Sequence, residues 1–294
     1  MSAMRTDKYI VTEQSREQVS RGIPGLSLSD DVVKGSFFLD CNWVKPRTKP
    51  TRESTTSHTH DSDEVIGFFG TNLDDWRDLG GEVELWLDGE KHILTKTCMV
   101  YIPKGMRHCP MTIRRVDRPI FLFSTGPAST YVKQDESLAG KEKSQKVSAT
   151  KTAKYIITEQ TEKQRNRGSR GLTINDEVVK GINFFLQCGW LLPRKEATKG
   201  AHNSNTSHSH DCDEVIAFFG TDVANWRDLG GEVELWLDDE KHMLTKSFLI
   251  FVPKNMKHCP LVVHRVDRPI FHFTTGPAPG YVIKNEALFP KPAV

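Results

Sequence analysis

"SHTHDSDEV", residues 57–65, sets His58 and His60 two apart and Glu64 four further on. "SHSHDCDEV", residues 207–215, repeats that frame with His208, His210 and Glu214. In an extended chain, residues two apart point to one face, so each pair of imidazoles projects together while Thr59 points away. The polar "DSD" can bend, letting Glu64 rejoin that face where "EVIGFF" opens a new strand. A third imidazole comes from "PKGMRH" (103–108), where His108 follows a Pro-Lys-Gly turn, and in the second copy from "PKNMKH" (253–258). The candidates are thus His58, His60, Glu64 and His108, then His208, His210, Glu214 and His258. Two or three imidazoles with one carboxylate suit Fe(II), Mn(II), Zn(II), Ni(II) or Cu(II). A lone His-x-His is a weak signal. Here all four donors persist in both copies, although the copies have drifted at roughly a third of their positions.

The repetition runs far past these residues. Segment 57–128 aligns with 207–278 without a gap, and "WRDLGGEVELWLD" occurs in both, at 76–88 and 226–238. Upstream, "KYIVTEQ" (8–14) answers "KYIITEQ" (154–160). A repeat this long is a duplicated domain, not a solenoid unit. The stretch between the copies is rich in Lys, Ser and Glu and reads as a solvated linker. The expected organisation is an N-terminal domain at 1–131, a linker at 132–153 and a C-terminal domain at 154–294, with the halves able to pack face to face.

Within each copy the local pattern is strand. "EVELWLDGEKHILTK" (82–96) alternates on both sides of Asp88-Gly89, a strong hairpin signal. "CMVYIPKG" and "RPIFLFSTG" are short apolar runs stopped by Pro and Gly. Helical periodicity is confined to "SREQVSRGI" (15–23). Many short strands with regular turns predict an all-β chain, a sandwich or closed antiparallel barrel in each half.

Composition narrows the function classes. A net charge of +2 spread over 294 residues leaves no basic face for nucleic acid. No apolar run approaches the ~20 residues of a membrane span, and the first residues lack the pattern of a secretory signal. The six cysteines form no C-x-x-C pair, and four of them sit at repeat-equivalent positions (41 with 188, 109 with 259). They read as fold positions in a reducing cytoplasm.

The pattern His-x-His-x-x-x-Glu, followed by Pro-x-Gly-x-x-His, resembles the two motifs of the cupin superfamily, and its occurrence twice resembles a bicupin. That resemblance implies two tandem antiparallel β-barrels of jelly-roll type with short helical segments, each holding one metal through the four donors named above. The chain departs from the pattern at several points. Arg52 and His202 stand where a glycine is expected, Thr112 and Val262 where an asparagine often follows, and Asn255 where the first copy has Gly105. Asn tolerates a left-handed backbone, so that turn should survive.

Other positions have alternative readings. Strand parity from Glu64 turns Ile66 and Phe68 inward as pocket lining or plain core, and parity from His108 turns Pro110 and Thr112 inward. The same rule points Cys109 and Cys259 to the opposite face as core thiols. His272, where the first copy has Leu122, is a base or substrate contact if it faces inward, and otherwise a satisfied strand histidine. Arg77 and Arg227, beside Trp76 and Trp226, are either a carboxylate clamp or loop anchors. His92 and His242 read as structural or solvent-facing.

These features predict a metal-dependent enzyme acting on a small molecule, with dioxygenase-type oxidation and Fe(II) as the first expectation. Glu64 and Glu214 would then serve as ligands or bases. The alternatives are a non-oxidative isomerase, decarboxylase or lyase using Mn, Zn, Ni or Cu, or a metal- or ligand-binding cupin without turnover. The resemblance extends to Mn-dependent bicupin decarboxylases. No nucleic-acid or membrane partner is expected, and a homodimer is plausible.

Overall fold

A computed structural model describes residues 4–138, 151–199 and 206–287. His202 and the middle of the inter-copy segment lie outside the described residues. Among the described residues the fold is all-β, with two short α-helices, Arg16–Arg21 and Glu162–Asn166. The first forms where the pattern placed it. Ser15 and Gln18 close a capping box at its start, and Gly22 ends it in a left-handed conformation.

Each half is a jelly roll of two facing six-stranded antiparallel sheets; among the described residues no single sheet closes on itself. In the first half, one sheet carries Glu64–Gly70 between Cys98–Ile102 and Ile120–Thr125. The other carries His108–Val116, flanked by Thr56–Thr59 and Asp78–Leu87. The Asp78–Leu87/Glu90–Lys96 hairpin turns through Asp88 (φ 46°) and Gly89 (φ 78°), the paired positive φ that a two-residue hairpin turn requires. Each roll encloses its own apolar interior. Ile66, Phe68 and Val83 lie in the first, and Ile216, Phe218 and Val233 in the second.

A third core lies between the halves. The outer faces of the Glu64- and Glu214-bearing sheets pack together through aromatic contacts: Phe69–Phe271 at 4.8 Å, Phe121–Phe219 at 4.7 Å and Phe123–Phe273 at 5.4 Å. Such pairs add to the free energy of burying large side chains. The halves also exchange strands. Ile10–Val11 pairs with Leu249 and Ile250 of the second half, and Ile156–Ile157 pairs with Met99 and Val100 of the first.

Buried hydrogen bonds clasp these exchanged segments. The Thr6 hydroxyl donates to Glu240 Oε2 at 2.6 Å and accepts from His242 Nε2 at 2.7 Å. Thr152 does the same with Glu90 (2.5 Å) and His92 (2.7 Å). His92 and His242 are therefore buried and structural, not solvent-facing. Arg77 and Arg227 stack 4.6 Å over Trp76 and Trp226 and reach Gln160 and Gln14 of the opposite half. They anchor the interface rather than clamp a substrate. The start of the inter-copy stretch is ordered as well, Gln134–Leu138 adding a strand beside Thr56–Thr59. Among the described residues no helix is long and apolar enough to cross a membrane.

Burial lowers the pKa of His92 and His242. Because the folded value lies below the unfolded one, the unfolded chain binds more protons as pH falls below about 6.5, and the fold loses stability there. The urea midpoint should fall between about pH 8 and about pH 5.5, and fall less in a His92→Gln/His242→Gln variant. Equal falls would show that the clasps do not depend on neutral imidazoles.

Candidate metal centre

His58 lies directly opposite His108 in the paired strands Thr56–Thr59 and His108–Val116. His60 follows at the strand's end. Its carbonyl accepts from the Gly105 backbone N–H at 2.9 Å, which holds the Pro103–Met106 turn against it. In the second half Asn255 makes the same bond to His210 with φ 65°, so asparagine does take over the glycine's conformation. Glu64 comes from the facing sheet, paired with Ile102. The site thus spans the interior of the roll, with three imidazoles on one sheet and a carboxylate on the other. All four side chains are buried in both halves.

Each imidazole is oriented by the backbone. His58, His60 and His108 donate Nδ1–H to the carbonyls of Thr56 (3.1 Å), Val132 (2.7 Å) and Met106 (3.0 Å). His208, His210 and His258 repeat this with Thr206 (3.1 Å), Val282 (2.6 Å) and Met256 (3.1 Å). With the hydrogen on Nδ1, every Nε2 presents a lone pair, which is the tautomer a metal ligand needs.

The fit to a cation follows from these lone pairs. Glu64 Oε2 lies 3.2 Å from His60 Nε2 and 3.1 Å from His108 Nε2. In the second half both separations to Glu214 Oε2 are 3.1 Å. Those atoms are buried, yet none makes a geometrically acceptable hydrogen bond. Buried lone pairs facing one another are costly unless a positive charge sits among them. Two donors about 2.1 Å from one ion and at a right angle stand about 3.0 Å apart, close to what is seen. The sets His60/Glu64/His108 and His210/Glu214/His258 each bring their ligand atoms within 4.8 Å of one another.

The electrostatics agree. Burial alone would raise Glu64 and Glu214, but the neighbouring imidazoles hold both carboxyls far below the usual range. Burial and the adjacent imidazole of His108 or His258 push His58 and His208 down to about 4. For His60 and His210, burial is outweighed by the glutamate and the value rises.

Several contributors were missed in the sequence. Ser124 Oγ donates to Glu64 Oε1 at 2.5 Å, and Thr274 bonds Glu214 likewise, so each carboxylate is fixed through the oxygen that does not face the imidazoles. Tyr131 and Tyr281 place their hydroxyls on His58 Nε2 (3.2 Å) and His208 Nε2 (3.1 Å). Tyr131 also lines a cavity of about 310 Å³ with Phe38, His60, Glu64, Ala128 and Val132, which opens the first centre to solvent. The frame itself carried this signal, since Tyr131 and Tyr281 are equivalent positions just past the gapless repeat.

Other expectations need adjustment. His272 faces inward, on the side of its strand that carries Thr274, but it is not in the ligand clusters. Its Nδ1 bonds the Ala217 carbonyl at 2.8 Å and its ring lies 4.1 Å from Phe218. Ile66 and Phe68 are core. Parity fails after His108. Cys109 and Cys259 take left-handed φ values of 66° and 70°, and the register shifts before Met111. That irregularity inserts a residue and reverses the alternation, so Cys109, Met111 and Ile113 face inward, not Pro110 and Thr112.

No protein-family model matches the sequence, and no curated protein matches it. Solved structures do match the fold. The chain is similar to Bacillus subtilis oxalate decarboxylase at pH 4.6, with TM-score 0.52 and 12% identity over 88% of this chain and 72% of that one. It is similar also to the same enzyme in work on its Mn(II) centres, with TM-score 0.54 and 12% identity over 88% and 74%. A weaker likeness, TM-score 0.46 and 12% identity over 86% and 90%, is to AerE from Microcystis aeruginosa. The oxalate decarboxylase matches span both halves, and the fold is a cupin fold.

If the carboxylate must be held to meet the imidazoles, loosening it weakens the centre. Ser124→Ala and Thr274→Val should each lower divalent-metal affinity of one site by about 10–100-fold, measured by competition with a chromophoric chelator. Unchanged affinity in both would show that these hydroxyls do not position the ligands.

Proposed function

We propose that each half holds a divalent transition metal through three imidazoles and one glutamate, and that the protein is an enzyme acting on a small organic acid, enol or phenol. The observation that supports this most directly is the convergence of buried Nε2 and Oε2 lone pairs with no hydrogen-bond partners. Such an ion would supply Lewis-acid polarisation of a substrate oxygen and, if it were iron, a means of engaging O₂. The chain's own residues do the rest. The backbone carbonyls hold the imidazoles in the ligating tautomer, and Ser124 or Thr274 orients the carboxylate. The first cavity mixes the apolar Phe38, Ala128 and Val132 with the polar Asp61, Ser62, Thr130 and Gln134, a wall that suits a small organic ligand bearing polar groups. The Tyr131 hydroxyl, released from His58 when that nitrogen takes another partner, is placed to bond a substrate oxygen.

Oxidation by O₂ with Fe(II) is the first reading. The second is non-oxidative decarboxylation, with Mn(II) the natural ion; the fold likeness to an oxalate decarboxylase with Mn(II) centres favours it. A reducing compartment such as the cytoplasm suits either, since all six cysteines are free thiols and five are buried.

Protein loaded with Fe(II) or Mn(II) should be offered small carboxylates, enols and phenols while dissolved O₂ and released CO₂ are followed. Stoichiometric O₂ uptake supports the first reading. CO₂ release without net O₂ consumption supports the second. Full metal occupancy with neither product would leave a binding protein and contradict the enzyme reading.

A further inference from the structure

Cys109 and Cys259 do not behave as ordinary core thiols. Each follows a ligand histidine in a left-handed conformation that non-glycine residues other than asparagine and aspartate seldom adopt. The conformation has a geometric result. It turns the sulfur back toward the histidines, so that Cys109 Sγ and one ring nitrogen each of His58 and His108 all lie within 4.8 Å of one another. His208, His258 and Cys259 repeat the cluster. His108 and His258 belong to both clusters in their halves, and their Nε2 atoms are buried without hydrogen-bond partners.

We propose that each centre offers two donor sets sharing one histidine: the harder His60/Glu64/His108 set, and a softer His58/His108/Cys109 set that takes a thiophilic cation. The second half offers His210/Glu214/His258 and His208/His258/Cys259 in the same way. The inference rests on the reading that these centres bind metal. Its basis is donor chemistry: carboxylate oxygen suits harder ions, whereas thiolate selects Zn(II), Cd(II) or Cu(I). Binding forms a sulfur–metal bond and releases the thiol proton to the buffer. No change of oxidation state is involved. The consequence is that a thiophilic ion, drawn toward Cys109 and His58, leaves Glu64 without its ion and competes with the metal that serves catalysis.

Cd(II) loading of the full-length, metal-free chain tests this through the ultraviolet thiolate-to-cadmium charge-transfer band, which nitrogen and oxygen ligands do not produce. The wild type should show the band at two Cd(II) per chain. Cys109→Ser and Cys259→Ser should each lose half of it and the double variant all of it, whereas Cys212→Ser, at the half-buried cysteine of the "SHSHDCDEV" turn, should keep it. Cd(II) bound without the band, or a band lost with Cys212→Ser, overturns the proposal and leaves the three-histidine, one-glutamate reading standing. No Cd(II) bound overturns both. If the double variant fails to fold, the wild-type spectrum and the single Cys109→Ala and Cys259→Ala variants still decide the matter.

Discussion

Three hydrogen bonds from imidazole Nδ1 to backbone carbonyls, made twice, are the constraint on which the rest of the site depends. They turn every Nε2 into the interior of the roll, those of His60 and His108 facing the buried Glu64 carboxylate and that of His58 facing the Tyr131 hydroxyl. Such an arrangement is unfavourable in an empty protein interior, where facing lone pairs repel and are stripped of water. A divalent ion among these donors relieves it. The fold therefore holds these side chains in the arrangement that a cation requires.

The architecture around the site serves that geometry. The imidazoles come from one sheet and the carboxylate from the other, so the distance between sheets sets the width of the donor set. That distance is stabilised from outside by the aromatic core between the halves and by the exchanged strands. Phe69, Phe121 and Phe123 lie on the outer face of the sheet whose inner face carries Glu64 and Ser124. The second half buttresses the first, and the reverse holds through Phe219, Phe271 and Phe273. The exchange of strands adds to this mutual support, since each half's sheet is completed by a strand preceding the other half.

Much of this was legible in the sequence because it is periodic. Residues two apart on strands share a face, and a pattern occurring twice separates the donors His58, His60, Glu64 and His108 from background. What escaped detection did so for physical reasons. Cys109 breaks alternation through a backbone conformation that composition does not announce, so strand parity beyond His108 points to Pro110 and Thr112 where the fold turns Cys109, Met111 and Ile113 inward. Tyr131 lies 73 positions from the histidine it bonds, in a loop where the 150-residue repeat marks the position but strand parity says nothing of where the side chain points. Tandem repeats show that two like units exist but not which unit each segment completes, so the strand exchange, and the role of Arg77 and His92 in holding it, could be seen only in three dimensions.

The most direct test of the central claim is a crystal structure of chain grown with Mn(II) or Fe(II), with anomalous differences collected at that metal's absorption edge. Two peaks per chain are expected, one ringed by Nε2 of His58, His60 and His108 with Oε2 of Glu64, the other by the corresponding atoms of His208, His210, His258 and Glu214. Absence of peaks at both centres, or peaks held by other residues, would contradict it.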